Sequence, residues 1–210
     1  MQHKFQFYHD HVKEKFPVFF RVANYYRNKR FQVFRDELNI NGSMKILDIG
    51  GAFDFWKELF EFKNVTLLNI KKEQENERIK SVQYDGEKLP FPLNEFDVIF
   101  SNSTIEHIGD LRAQKKFAAE IISSGKKYFV QTPSFWFPYE PHAHIPFFQF
   151  LPDPLKIFAN KIINKSTYSI EELLTIRLLS KKDIWKLFPN ARIMTERFFS
   201  LPKSYYIIGG

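Results

Sequence analysis

The pattern of apolar and polar positions changes character along the chain, and each change marks an element. Through residues 1–40 the apolar positions recur at helical spacing. Phe16, Phe19, Phe20 and Val22 open a stripe that Tyr26, Phe31, Phe34 and Leu38 continue, with Arg27, Lys29 and Arg30 set between them. This predicts an amphipathic helical segment that breaks at Asn41-Gly42-Ser43. From Lys45 the pattern shifts to short, nearly continuous apolar runs. Residues 45–49, 65–70, 82–84, 96–101 and 127–131 read as strands. Between them, Phe55, Leu59 and Phe62 predict a helix over 53–62, and residues 111–123 a second helix that Gly125 would stop.

Strands alternating with helices indicate a parallel α/β sheet with right-handed crossovers. Apolar runs without period-two alternation suit strands covered on both faces. Residues 134–180 interrupt the alternation. They carry Pro138, Pro141, Pro146, Pro152 and Pro154, then helical patterns near 154–164 and 170–179. An insertion of this size after the carboxyl end of a strand is a natural lid. Residues 181–188 predict a short helix before Pro189, and 192–199 with 204–208 a closing antiparallel pair. The chain thus reads as one domain in four stretches: a helical cap (1–42), a core (43–133), a lid (134–180) and a closure (181–210).

Composition narrows the functions. With 210 residues, 44% hydrophobic and 26% charged, the chain is globular. It has no cysteine, which excludes a disulfide scaffold, a thiolate metal site and a cysteine nucleophile. No window approaches 18 uninterrupted apolar residues, and the first residues show no apolar core of a secretion signal, so a cytoplasmic protein is expected. The 31 Lys and Arg against 24 Asp and Glu leave a net charge of +7, which permits contact with phosphates, acidic glycans or an anionic surface, or is simply a solvated face. The 25 Phe point to an aromatic core.

The chemistry-bearing segments follow the strands. Asp48-Ile49-Gly50-Gly51-Ala52-Phe53-Asp54 sits at a strand-to-helix turn, where glycine permits tight geometry and the first strand of an open α/β sheet delivers a ligand to its carboxyl edge. This run resembles the glycine-rich first motif of class I S-adenosylmethionine-dependent methyltransferases, in particular their type 11-like members. Further segments match in order: Tyr84-Asp85-Gly86-Glu87-Lys88-Leu89-Pro90, the strand-four stretch from Phe96 through Ile105-Glu106-His107, strand five from Lys127 to Pro133, and the closure from Ser180. The resemblance covers roughly residues 44–133 and 180–210. It implies a Rossmann-like, mostly parallel seven-stranded sheet with a C-terminal antiparallel strand, flanked by helices.

It also implies S-adenosyl-L-methionine as cofactor, with S-adenosyl-L-homocysteine as product, and assigns roles. Asp48 would meet the cofactor's amino group, Gly50 and Gly51 its methionine portion. Asp85, before Gly86, would accept from the adenine amine, and Asn102 and Ser103 would line the methionine side. The chain departs from the family at two places. Ala52 and Asp54 stand where more glycine is usual, and Asn69 stands where an acid normally ends strand two and holds the ribose. Asn lacks a carboxylate's charge-assisted bond; Glu73 or Glu75 could compensate from the next loop.

After strand five, Trp136, Phe137 and Tyr139 could form an aromatic wall beside the sulfonium. Glu140, His142 and His144 follow, and His142 is the first candidate for a general base, with His107 and Glu140 next. His-x-His beside a carboxylate has metal-ligand composition, but the sequence offers no clear third ligand and no metal is expected. The expected reaction is methyl transfer to a small-molecule or glycan-type acceptor, as O-methylation by in-line displacement. The alternatives are a degenerate binding protein on the same fold, or an RNA methyltransferase using Arg27, Lys29, Arg30, Lys161 and Lys165 on phosphates.

Overall fold

A computed structural model describes residues 17–84, 89–163 and 166–210, with side chains from residue 24 onward. The chain divides into two compact units, residues 1–40 and 41–210. In the first, α1 (Pro17–Leu38) follows the apolar stripe: Phe31, Phe34 and Leu38 are buried, while Arg27 and Lys29 are exposed. The helix ends as a Schellman turn, with Asn39 at φ 49° and the Ile40 N–H donating to the Arg35 carbonyl at 2.9 Å. The predicted helical pattern of residues 1–16 lies outside the described residues.

The second unit is built on one seven-stranded sheet. Its strands are β1 (Lys45–Ile49), β2 (Asn64–Asn69), β3 (Ile79–Gln83), β4 (Val98–Asn102), β5 (Lys127–Pro133), β8 (Arg192–Phe198) and β9 (Leu201–Gly209). Their spatial order is β3-β2-β1-β4-β5-β9-β8. The pairs from β3 to β5 are all parallel, and β9 alone runs against its neighbours β5 and β8. This is the mostly parallel sheet expected from the sequence. The order reverses between β1 and β4, so their carboxyl ends form the crevice where open α/β sheets take ligands.

Both faces of the sheet are covered, which explains strands such as Lys45–Ile49 with four consecutive buried residues. On one face Leu47, Ile99 and Val130 pack with Phe117 and Ile121 of α3 (Leu111–Ser123). On the other, aromatic rings run across the strands: Phe55 stacks on Phe100, Phe100 on Phe129 at 5.6 Å, and Phe129 meets Tyr206 at 5.4 Å. Three of the 25 phenylalanines, Phe55, Phe100 and Phe129, form this layer. Helix α3 has the predicted bounds: Asp110 caps its first turn by accepting from the Ala113 N–H at 2.8 Å, and Gly125 follows its end at φ 64°.

Two predicted helices are shorter than their apolar spacing suggests. Helix α2 covers only Phe53–Trp56, and turns carry the chain to Phe62. Arg78 supports the turns instead, because its guanidinium donates to the carbonyls of Lys57, Leu59 and Phe62 at 3.0–3.1 Å. Trp56 and Phe62 still reach the core. Helix α5 covers Ile170–Thr175, not 170–179. Beyond it the backbone is extended, because Leu179 bridges to Ser134 and the Arg177 N–H donates to the Glu106 carbonyl at 2.9 Å.

The stretch from Ser134 to Ser180 is an insertion with its own small core of Ala143, Ile145, Phe148 and Leu173. It holds a tiny hairpin, β6 (Tyr139–Glu140) with β7 (Ile145–Pro146), then α4 (Asp153–Ile163) and α5. Helix α6 (Lys181–Leu187) follows, started by a capping box of Ser180 and Asp183. Among the described residues no helix is long and apolar enough to cross a membrane.

Candidate active site

The carboxyl end of β1 carries Asp48, 2% exposed. Trp56, delivered by α2, donates its indole N–H to Asp48 Oδ2 at 2.7 Å. Asp48 Oδ1 is equally buried and has no hydrogen-bond partner among the described residues. A carboxylate so placed is costly to ionise. Burial pushes its carboxyl up to about 8, against the lowering effect of the Trp56 bond. A buried acceptor with an open lone pair is a docking point for a donor from outside the chain.

The glycines beside it make room for protein as well as for a ligand. Gly50 has φ 79°, and a Cβ there would collide with the Thr104 side chain; a Cβ on Gly51 would collide with the Asp48 carboxyl. Thr104 and Ser101 both donate to the Ile49 carbonyl, at 3.1 and 3.0 Å, and so tie the end of β4 to the turn. Asn69 closes the turn from β2: its amide donates to the Gly51 carbonyl at 2.9 Å. Glu73 also reaches the turn, with Oε2 accepting from the Phe53 N–H at 3.2 Å. Glu75 instead accepts from the Ser81 N–H and pairs with Lys72, away from the turn. Of the two compensating acids, the structure therefore brings Glu73 to the turn. Ser103 adopts φ 53° and donates to Gln131 Oε1 at 2.8 Å, next to Asn102 at the end of β4. Asp85 and Gly86 lie outside the described residues.

A second group gathers beyond β4 and β5. His107 lies on the single turn Ile105–His107, and His142 on the turn between β6 and β7. Their rings meet edge to face at 4.7 Å. Glu140 stands behind His142, with Oε1 2.6 Å from Nδ1; its Oε2 accepts from the backbone N–H groups of His142 and Ala143. All three residues singled out as candidate catalytic groups thus converge, although the chain separates His107 from the other two. Glu106 joins them, fully buried, with Oε2 accepting from Thr132 at 3.0 Å. Tyr168 stacks on His107 and meets the edge of His142. Desolvation and the neighbouring His142 hold the His107 pKa down to about 4.

The group is braced by Gln114, which is buried on α3. Its amide donates to the carbonyls of Ile105 and Arg177 at 3.0 Å, and Arg177 donates back to its oxygen at 2.7 Å. Sequence reasoning missed Gln114 and Tyr168, which act through contacts distant along the chain, and Trp56, whose bond to Asp48 depends on how the turn between them folds. His144 is turned away, at φ 57° with Nδ1 3.2 Å from the Tyr139 hydroxyl. The expected aromatic wall is not formed. Trp136 is 57% exposed and packs on Phe135 and Phe150, Phe137 meets Phe198, and Tyr139 meets His144. A cavity of about 380 Å³ opens inside the insertion, lined by Phe135, Trp136, Glu140, Phe148, Gln149 and Arg177 among others.

Residues 49–127 match a family model described as a methyltransferase domain. That segment is somewhat more than a third of the chain, and over it the chain is similar to methyltransferase domains. No curated protein matches the sequence. Solved structures similar to it include a SAM-dependent methyltransferase from Aquifex aeolicus, at 14% identity over 85% of this chain and 88% of that chain, with a TM-score of 0.51. A chain from the complex with the Haloferax volcanii Trm112 methyltransferase activator aligns over 96% of both chains at 10% identity, with a TM-score of 0.54. Phosphoethanolamine N-methyltransferase 2 of Haemonchus contortus, in complex with S-adenosyl-L-methionine, aligns over 80% of this chain and 38% of that one, at 14% identity and a TM-score of 0.53. At these identities the likeness is one of fold, and it agrees with the observed strand order. The matched segment holds most of the first cluster, at the carboxyl ends of β1 and β4, with Asp48 one residue before it. The second cluster draws three of its members, Glu140, His142 and Tyr168, from the insertion beyond the matched segment.

Proposed function

We propose that this protein transfers the methyl group of S-adenosyl-L-methionine to a hydroxyl of a small-molecule or glycan-type acceptor. The observation that carries this reading is the buried Asp48 oxygen without a partner among the described residues, at the reversal point of the sheet. The cofactor supplies an electrophilic methyl group on a sulfonium. Asp48 holds its ammonium group, and Gly50, Gly51, Asn102 and Ser103 line the methionine side. Asn69 and Glu73 serve the ribose, and Asp85 with Gly86 the adenine, as the family resemblance implies.

The acceptor side is built from the insertion. The cavity against Glu140 combines aromatic walls, Phe135, Trp136 and Phe148, with charged and polar groups, Lys156, Arg177, Gln149 and Asp183, that suit a polar small molecule. Glu140 fixes the His142 tautomer: with its Nδ1–H donating to the carboxylate, Nε2 carries the lone pair that takes the hydroxyl proton. The resulting imidazolium is stabilised by the same carboxylate. Methyl transfer from a sulfonium dissipates charge, so the remaining task of these residues is to align the reactants and exclude water.

Calorimetric titration with S-adenosyl-L-methionine and S-adenosyl-L-homocysteine tests the cofactor half. Micromolar binding, weakened in Asp48→Asn, is the expected result. Folded protein that binds neither ligand overturns it and leaves a binding module on a methyltransferase fold.

A further inference from the structure

His142 and His144 alternate in sequence with Glu140 nearby, a pattern that suggests a metal but lacks a third ligand. The structure supplies that ligand from another part of the chain. His144 faces Tyr139, whereas His142 faces Glu106 and His107, and one ligating atom of each of these three lies within 4.8 Å of the others. We propose that Glu106, His107 and His142 bind a divalent transition metal ion, with Zn²⁺ the first candidate.

Four features support this assignment. Two imidazoles and one carboxylate make a donor set suited to Zn²⁺, Co²⁺, Mn²⁺ or Fe²⁺ that leaves coordination positions open to water or an oxygen ligand. His142 already has the outer partner that metal-bound histidines take, because its Nδ1 lies 2.6 Å from Glu140, which leaves Nε2 to ligate. The Thr132 hydroxyl orients Glu106 in the same way. Finally, Glu106, Glu140 and His142 are all at least nine-tenths buried, and two buried carboxylates are costly unless a cation or protons accompany them. A tetrahedral site with bonds of about 2.0–2.1 Å sets its donor atoms about 3.3–3.4 Å apart. The donor atoms already lie within 4.8 Å of one another and need to draw together by about 1.5 Å at most to reach that spacing. The bound metal occupies the Nε2 lone pair, so a metal ligand and a proton acceptor are alternative states of one imidazole.

The test uses the full chain, stripped with a chelator and without cofactor. Zn²⁺ is titrated by calorimetry, and Co²⁺ by its visible absorption. One equivalent binding at micromolar or better affinity is expected, with Co²⁺ bands of a four- or five-coordinate site. His107→Ala removes an exposed ligand without threatening the fold and is expected to weaken binding at least 100-fold. Glu140→Gln is expected to weaken it about 10–100-fold, as loss of an outer partner does. His144→Ala should leave it unchanged. Absence of stoichiometric binding, or equal losses in His107→Ala and His144→Ala, overturns the site. The readout is independent of cofactor binding, so failure here and failure of the methyl-transfer reading are distinguishable.

Discussion

Two buried carboxylates in the same sheet have opposite surroundings. Glu196 on β8 is 4% exposed, and both of its oxygens are occupied: Oε2 accepts from Lys203 Nζ at 2.6 Å and from Ser204 Oγ at 2.7 Å, and Oε1 accepts from the Tyr206 hydroxyl. Asp48 on β1 is 2% exposed and receives one bond, from Trp56. The first is closed by its own strand pair and holds β8 to β9. The second is held by one donor and kept open on the other side, at the edge where the strand order reverses. Proteins satisfy nearly all their buried polar groups, so the open one is the one built for something from outside.

The largest expected effect separates the two by stability. Glu196→Ala leaves three donors facing a void and is expected to cost about 2–4 kcal/mol. In a chain of this size that lowers Tm by roughly 5–12 °C in a thermal scan. Cofactor binding in the surviving folded protein should be unchanged. Loss of binding with Glu196→Ala would erase the contrast between a structural and a functional acid.

Asp48→Asn sharpens the contrast from the other side. The amide keeps the shape and lacks the charge. Cofactor affinity is expected to fall about 10–100-fold, the range that separates a charged from a neutral hydrogen bond, about 1.5–3 kcal/mol. The stability of the ligand-free protein should stay level or rise, because the variant no longer carries a buried carboxylate. A variant that loses stability and keeps affinity would make Asp48 a structural residue like Glu196.

These acids also mark how far the sequence could be read. The strands on either side of Asp48 were legible because short apolar runs without alternation, bounded by turn residues, suit doubly covered strands, and Asp110 and Gly125 bounded α3 by local rules. The run to Phe62 was misleading because apolar spacing alone does not distinguish a helix from turns whose carbonyls Arg78 satisfies. The glycine turn was legible as a ligand site through the order of motifs around it. That Asn69 would bond Gly51 and Glu73 would reach Phe53 depended on how the loop after β2 folds back. Glu140 and His142 form a local pair, visible from their spacing. Their meeting with Glu106 and His107 depends on where the insertion folds, a long-range fact that no local pattern encodes.

The pH dependence gives the next effect, and its sign follows from the direction of the shift. The Asp48 carboxyl is raised from 3.8 to about 8 in the folded, ligand-free protein. A raised pKa contributes stability that is present in full below about pH 4 and is lost as pH rises toward 8. The cofactor's ammonium favours the ionised carboxylate, so binding below pH 8 expels a proton. Affinity is therefore expected to rise with pH by up to about tenfold per unit until pH 8, then level off. Calorimetry in buffers of different ionisation enthalpy measures the released proton, and Asp48→Asn should abolish the release.

The smallest expected effect comes from a third acid with the opposite sign. Asp183 opens α6 and is only partly buried. Burial would raise its pKa, but hydrogen bonds from the Ser180 hydroxyl and backbone, with the charge of Arg177, outweigh that and lower it. A lowered pKa contributes stability that is present above the unfolded value and lost as pH falls through the folded one. Asp183→Asn should therefore cost about 1 kcal/mol at pH 7, the usual scale of a helix cap, and progressively less below pH 4. Asp48→Asn should instead remove the decline in stability between pH 4 and 8. Thermal scans of the two single variants and the double variant across that range decide the matter. If the two slopes vanish independently, one acid is poised for a ligand and the other serves the fold. If either variant flattens both slopes, the two acids belong to one network and the contrast fails.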